Sequence, residues 1–128
     1  MTAVKVLVAE DSAVLRDALA ELIRDDPRLN LVGIAADAGE AVVMAGVHQP
    51  DVAVLDVKMP GGGGRYAAAE ISQVSPDTRV LAFSAYDDKQ SVEEMLDAGA
   101  FGYVVKGARM DEVIREILRA AGVSDRDT

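Results

Sequence analysis

Residues able to do chemistry sit at the ends of short apolar runs in this chain. Glu10 and Asp11 follow Val4 to Ala9, and Asp56 ends the run Val52 to Asp56. Ser84 ends Arg79 to Ser84, and Lys106 ends Gly102 to Lys106. Carboxylates gathered at one rim repel each other, so a proton or a cation must join them. The donors are all oxygen, which suits a hard ion. Mg2+ fits best, because it takes a few carboxylates and keeps places for water and phosphate oxygens. A backbone carbonyl just after Asp56 adds a further ligand. Lys106 is a point cation suited to holding a phosphate oxygen, and Ser84 offers a hydroxyl to another. A carboxylate can itself attack phosphorus and become an acyl phosphate. The stretch VAVLDVKMPGGGG then runs from Asp56 into four glycines, which let backbone pass close to a modified side chain. Singly, each acid is bland, since strand ends are often wet; the joint arrangement points to phosphoryl transfer.

The elements that must position these groups alternate along the chain. Val4 to Ala9 is strand-like, and Ser12 to Asp25 has helical spacing, with Leu15, Ala18, Leu19, Leu22 and Ile23 on one face. Ser12 is the expected N-cap, and Pro27 closes the segment. Leu29 to Ala35 is the second strand, followed by Ala36 and Asp37. Asp37 and Glu40 have the spacing of a capping box for a helix over residues 39–48. Val52 to Asp56 is the third strand, and residues 65–74 form a helix stopped by Ser75-Pro76. Arg79 to Ser84 is the fourth strand, and Ser91 with Glu94 suggests a second capping box, opening a short helix that ends near Gly99. After the fifth strand, Val113, Ile114, Ile117, Leu118 and Ala121 mark the apolar face of a last helix. Strands separated by helices run parallel, and right-handed crossovers put helices on both faces. The expected class is α/β: a five-stranded parallel, doubly wound sheet with five helices. In such a sheet ligands bind beyond the carboxyl ends of the strands, where the acids, hydroxyl and lysine fall.

Composition bounds the function. A chain of 128 residues supports one domain, and 50% apolar residues suit a packed core. The net charge of −9 argues against direct nucleic-acid binding by this segment. There is no cysteine, which excludes disulfides and thiolate metal sites. No apolar run approaches membrane-spanning length, and the N-terminus meets its first carboxylate too soon for a signal peptide. The expected location is cytoplasmic.

The acid pair in VLVAEDS, the aspartate in VLDVKMPGGGG, the hydroxyl in LAFSAYD and the lysine in GYVVKG resemble the receiver domain of bacterial two-component response regulators. The glycine-rich loop and the ending GYVVKGARMDEVIREI resemble the NarL-like subgroup. The resemblance implies a receiver over residues 1–122, with 123–128 a tail or the start of a linker. It implies strand order 2-1-3-4-5, with Asp56 as phosphoacceptor. It implies Mg2+ held by Glu10, Asp11, Asp56 and the carbonyl of Lys58. Ser84 and Lys106 would bind the phosphoryl group, and Ser84 with Tyr103 would form the switch. The donor would be a sensor histidine kinase or phosphotransfer protein. Homodimers would form through the face of the fourth helix, fifth strand and fifth helix, or through the first and fifth helices. Lys58 and Tyr86, two residues after Asp56 and Ser84, would flank the hydrolytic water and tune the lifetime of the phosphorylated form. Two departures matter: Gly107 follows Lys106 where many receivers have a cis proline, and Arg109 stands where the subgroup often has a capping serine.

Blander readings stand beside these. Tyr103 also suits plain core, Lys5 a solvated strand start, His48 a surface helix end, and the run Asp87-Asp88-Lys89 an exposed loop. A phosphatase with an aspartate nucleophile would want a second acid where Lys58 stands. A dinucleotide-binding domain would want G-x-G-x-x-G after the first strand, where Glu10-Asp11-Ser12 stands. A receiver-like interaction module that is never phosphorylated is a third reading.

Overall fold

The computed structural model describes residues 2–85 and 88–123. Strands β1 (Val4–Ala9), β2 (Leu29–Ala35), β3 (Val52–Asp56), β4 (Arg79–Ser84) and β5 (Gly102–Val105) alternate with helices α1 (Ala13–Arg24), α2 (Ala38–His48), α3 (Gly63–Val74), α4 (Lys89–Asp97) and α5 (Met110–Ala120). All neighbouring strands pair in parallel, in the order β2-β1-β3-β4-β5. This is the expected doubly wound fold. Because β1 lies between β2 and β3, the acids after β1 come to stand beside the end of β3.

The sheet divides the core in two, because successive strand residues point to opposite faces. Val6, Val8, Val54, Leu81 and Phe83 pack with Leu19 and Ile23 of α1 and with Ile114, Ile117 and Leu118 of α5. Leu7, Ala9, Leu55 and Ala82 pack on the other face with Ala41 and Ala45 of α2, Ala67, Ala68 and Ile71 of α3, and Met95 of α4. Each fully buried leucine or isoleucine contributes about 1.5–3 kcal/mol. The second face is lined mainly by alanine on α2 and α3, so those helices approach the sheet closely. The helix α4 is more lightly held: its buried residues are Val92 and Met95, against Val113, Ile114, Ile117, Leu118 and Ala120 on α5.

Most capping expectations hold. Ser12 Oγ accepts from Leu15 N at 3.5 Å. Asp37 accepts from Glu40 N at 2.8 Å, while the Glu40 carboxylate reaches back to Ala36 N at 3.1 Å. Arg109 makes no side-chain cap to α5. Among the described residues there is no cis peptide, and Gly107 takes a positive φ of 94°. Two helix starts differ from expectation. The helix α3 begins at Gly63, since Gly62 at φ 116° turns the chain into the helix without a side-chain cap. The helix α4 begins at Lys89, ahead of Ser91, with Asp88 as the residue before it. Ser91 therefore lies inside the first turn and does not open a capping box. No helix among the described residues is long and apolar enough to cross a membrane.

Candidate functional site

The carboxyl ends of β1, β3, β4 and β5 converge on one crevice. Asp56 is the last residue of β3, 1% exposed, and pairs in register with Phe83 of β4. Its Oδ1 accepts from Lys58 N at 3.1 Å and faces Lys106 Nζ at 3.0 Å. Its Oδ2 is buried and has no hydrogen-bond partner. Glu10 is fully buried; Oε2 accepts from Ser12 N at 2.9 Å, and Oε1 faces the same Lys106 Nζ at 3.0 Å. Asp11 is exposed at the mouth, and carboxylate oxygens of Glu10, Asp11 and Asp56 all lie within 4.8 Å of one another. Lys106 is oriented by its backbone, whose N–H donates to Ser84 O at 2.6 Å, and by the Phe83 ring, 5.6 Å from Nζ. Ser84, 1% exposed, ends β4 against this turn.

The electrostatics follow from crowding acids in a dry place. Burial pushes the Asp56 carboxyl up to about 7, the neighbouring Glu10 carboxylate adds to it, and the Lys58 amide and Lys106 only partly oppose it. Asp11 is held below its ordinary value, chiefly by the neighbouring Asp56 carboxyl and then by Glu10. Burial works against the Lys106 ammonium, yet Asp56 and Glu10 together raise it above its ordinary value. The cluster thus retains a proton near neutral pH for want of a second positive charge. Its donor set is all oxygen, part buried and part open to water, and one buried carboxylate oxygen is unpaired. That fits a small hard dication.

The loop after β3 is shaped by its glycines. Gly61, Gly62 and Gly63 all have positive φ. Pro60 O accepts from Ala38 N at 2.9 Å, tying the loop to the start of α2. A Cβ on Gly64 would meet Asp56 O at 2.7 Å and Met95 Sδ at 2.9 Å, so only glycine lets α3 sit this close to the backbone of Asp56.

The five residues at the strand ends are brought together as expected, with Lys58 beside them. Tyr103 is 50% exposed on β5, which removes the plain-core reading. It shares a groove of about 560 Å³ with Ser84, Asp88, Val92, Leu96 and Val105. Tyr86 lies outside the described residues. Lys5 stands at the opposite edge of the sheet, its Nζ on His48 O at 3.2 Å, and His48 is exposed. The reading of Asp88 and Lys89 as an exposed loop needs correction. Lys89 starts α4, and the Asp88 side chain is 12% exposed, facing Lys58 Nζ at 3.5 Å. The residue that sequence reasoning missed most plainly is Arg16. Its Nη1 donates to Glu10 O at 3.0 Å and Asp11 O at 3.3 Å, bracing the acid turn from one helical turn away. Its position four residues after the N-cap was the available signal.

Residues 6–118 match the family model for the response regulator receiver domain. The DNA-binding transcriptional activator DevR/DosR of Mycobacterium tuberculosis is 37% identical over 114 residues, covering 89% of this chain and 52% of that protein. The chain spans about half the length of the curated relatives it matches. Among solved structures, the signal receiver domain of the putative response regulator NarL from Mycobacterium tuberculosis superposes with a TM-score of 0.90 at 33% identity, covering 95% of this chain and 98% of that one. The CheY of a CheX-CheY-BeF3-Mg complex from Borrelia burgdorferi gives 0.81 at 27% identity, covering 91% and 87%.

Proposed function

This chain belongs to the response regulator receiver family, in its NarL-like branch, and on that premise we propose that Asp56 accepts a phosphoryl group from a phosphohistidine. The observation that carries this is the asymmetry of the Asp56 carboxylate. Oδ1 is pinned by the Lys58 amide and Lys106, while Oδ2 is buried and unpaired beside them. A nucleophile fixed by one oxygen and free at the other is already oriented, and phosphoryl transfer needs positioning and charge neutralisation above all.

In the transfer, a bond forms between Asp56 Oδ2 and phosphorus, and the bond from phosphorus to the donor imidazole nitrogen breaks. The departing imidazole keeps the electron pair. Lys106 stabilises the negative charge on the phosphoryl oxygens. Mg2+, when bound by Glu10, Asp11, Asp56 and the Lys58 carbonyl, neutralises further charge on those oxygens. The Ser84 hydroxyl then donates to a phosphoryl oxygen, and Tyr103 turns into the groove it shares with Ser84, altering the face of α4, β5 and α5. Donors of this chemistry are sensor histidine kinases and phosphotransfer proteins. That face, with a further groove of about 620 Å³ between β5 and α5, also suits pairing of two copies, as does the α1 and α5 side. The output is transcriptional, by analogy with the named activator, and is not carried by direct DNA contact from this acidic domain. Position 58 has no carboxylate to serve a phosphatase as general acid.

Incubation with acetyl phosphate and Mg2+ tests the assignment by intact mass. Wild type should gain one phosphoryl group, and Asp56→Asn should gain none. Equal labelling of the Asn variant would remove Asp56 from the role.

A further inference from the structure

We propose that Lys58 is a two-position cation that reports the charge on Asp56 to the start of α4: it sits on Asp88 while the acceptor is free and moves to the phosphoryl group once one is present. The inference rests on the functional reading above, in which Asp56 becomes phosphorylated.

Lys58 belongs to the wall of the site through its backbone, since its N–H donates to Asp56 Oδ1 at 3.1 Å. Its side chain leaves the crevice and reaches Asp88 Oδ2 at 3.5 Å. The two partners differ in freedom. The Asp88 side chain is 12% exposed and that of Lys58 is 75% exposed, so the carboxylate is fixed and the ammonium is the part that can move. Asp88 Oδ2 is buried without a hydrogen-bond partner and leans on this ion pair. Lys106 is already shared between Glu10 and Asp56, and Arg16 donates to the carbonyls of Glu10 and Asp11. Lys58 therefore has a flexible four-carbon stem beside Asp56 and, among the described residues, one carboxylate to leave.

Charge decides which anion holds it. A phosphoryl group on Asp56 brings nearly two negative charges and three acceptor oxygens, against one charge on Asp88. When Lys58 moves, the part-buried Asp88 carboxylate loses that counter-charge, which is costly. Asp88 is the residue that precedes α4, and that helix has no side-chain cap bond and few buried residues. The lightest-anchored helix in the fold thus receives the unbalanced charge at its first turn, where local opening is easiest. This is a second link from acceptor to α4, independent of Ser84 and Tyr103.

Hydrogen exchange of the segment Lys89–Asp97 tests the link, using the full chain in Mg2+ with and without beryllofluoride, a phosphoryl analogue. In wild type, beryllofluoride should speed exchange in the first turn of α4 about three- to fivefold, the size that an ion pair with one exposed partner supports. Asp88→Asn retains the capacity to cap a helix and loses only the charge. It should exchange fast already in Mg2+ alone, with less than half the wild-type response to beryllofluoride. Lys58→Met, altered at an exposed side chain, should do the same, and the double variant should add nothing to either single one. An equal response of α4 in wild type and both single variants would overturn the link. Failure of the functional reading looks different: wild type would then take no label from acetyl phosphate, and the link would fall with it.

Discussion

The two edges of the sheet handle polar groups in opposite ways. At the amino edge, Gln49 takes a left-handed φ of 47° at the end of α2 and spends its side chain on satisfaction. Its Nε2 donates to Gly46 O at 2.9 Å and Val74 O at 3.0 Å, and its Oε1 accepts from Ser75 Oγ at 3.2 Å. Thr78 Oγ1 donates to Pro50 O at 2.6 Å and lies 2.6 Å from Ser75 Oγ. The network is neutral and staples the end of α2 and the start of β3 to the loop before β4. At the carboxyl edge, three carboxylates crowd together, two of them share Lys106, and a buried Asp56 oxygen goes unpaired. The lesson is that the amino edge is spent on stability, while the carboxyl edge holds an excess of negative charge that a hard cation would offset.

Removing Lys106 should break this contrast most severely. Lys106→Met leaves buried Glu10 and Asp56 without their shared cation, and urea unfolding at pH 8 without Mg2+ should show a loss of about 3 kcal/mol. Added Mg2+ should recover part of that loss. A loss that Mg2+ leaves untouched would mean the acids do not act as one cluster.

A smaller effect is expected at the other edge. Ser75→Ala removes a buried hydroxyl that bonds the Gln49 amide oxygen and stands against Thr78 Oγ1, which should cost about 1 kcal/mol. Mg2+ affinity, read by calorimetry, should be unchanged in this variant. A weakened affinity would show that the two edges are coupled through the sheet and would spoil the division of labour.

A further effect is a pH dependence confined to the carboxyl edge. In the folded chain Asp56 holds its proton up to about 7, against 3.8 for an ordinary aspartate. The folded state therefore binds the proton more tightly than the unfolded one. That contribution is fully present below 3.8 and is lost as pH rises to about 7. Asp11, held below its ordinary value, acts in the opposite sense only at the acid end. The melting temperature without Mg2+ should fall between pH 5 and pH 8 in wild type, and fall less in Asp56→Asn. Equal slopes in the two proteins would place the titration elsewhere.

Much of the fold was legible because parallel strands buried on both faces are continuous apolar runs. Each run stops where a polar residue meets the crevice, so strand ends and site residues were marked by the same signal. Caps with side-chain acceptors, Ser12 and Asp37, were legible too. The start of α3 was not, because Gly62 at φ 116° turns the chain into that helix by backbone geometry without a side-chain cap.

By itself, the sequence determined which residues end each strand and what chemistry they offer, since both depend on local burial and side-chain type. Tertiary structure alone decided what those residues meet. It paired Lys58 with Asp88, pressed Gly64 against the backbone of Asp56, and joined Gln49 to Ser75. These contacts depend on how loops approach one another once the sheet has closed, and no spacing along the chain records that approach.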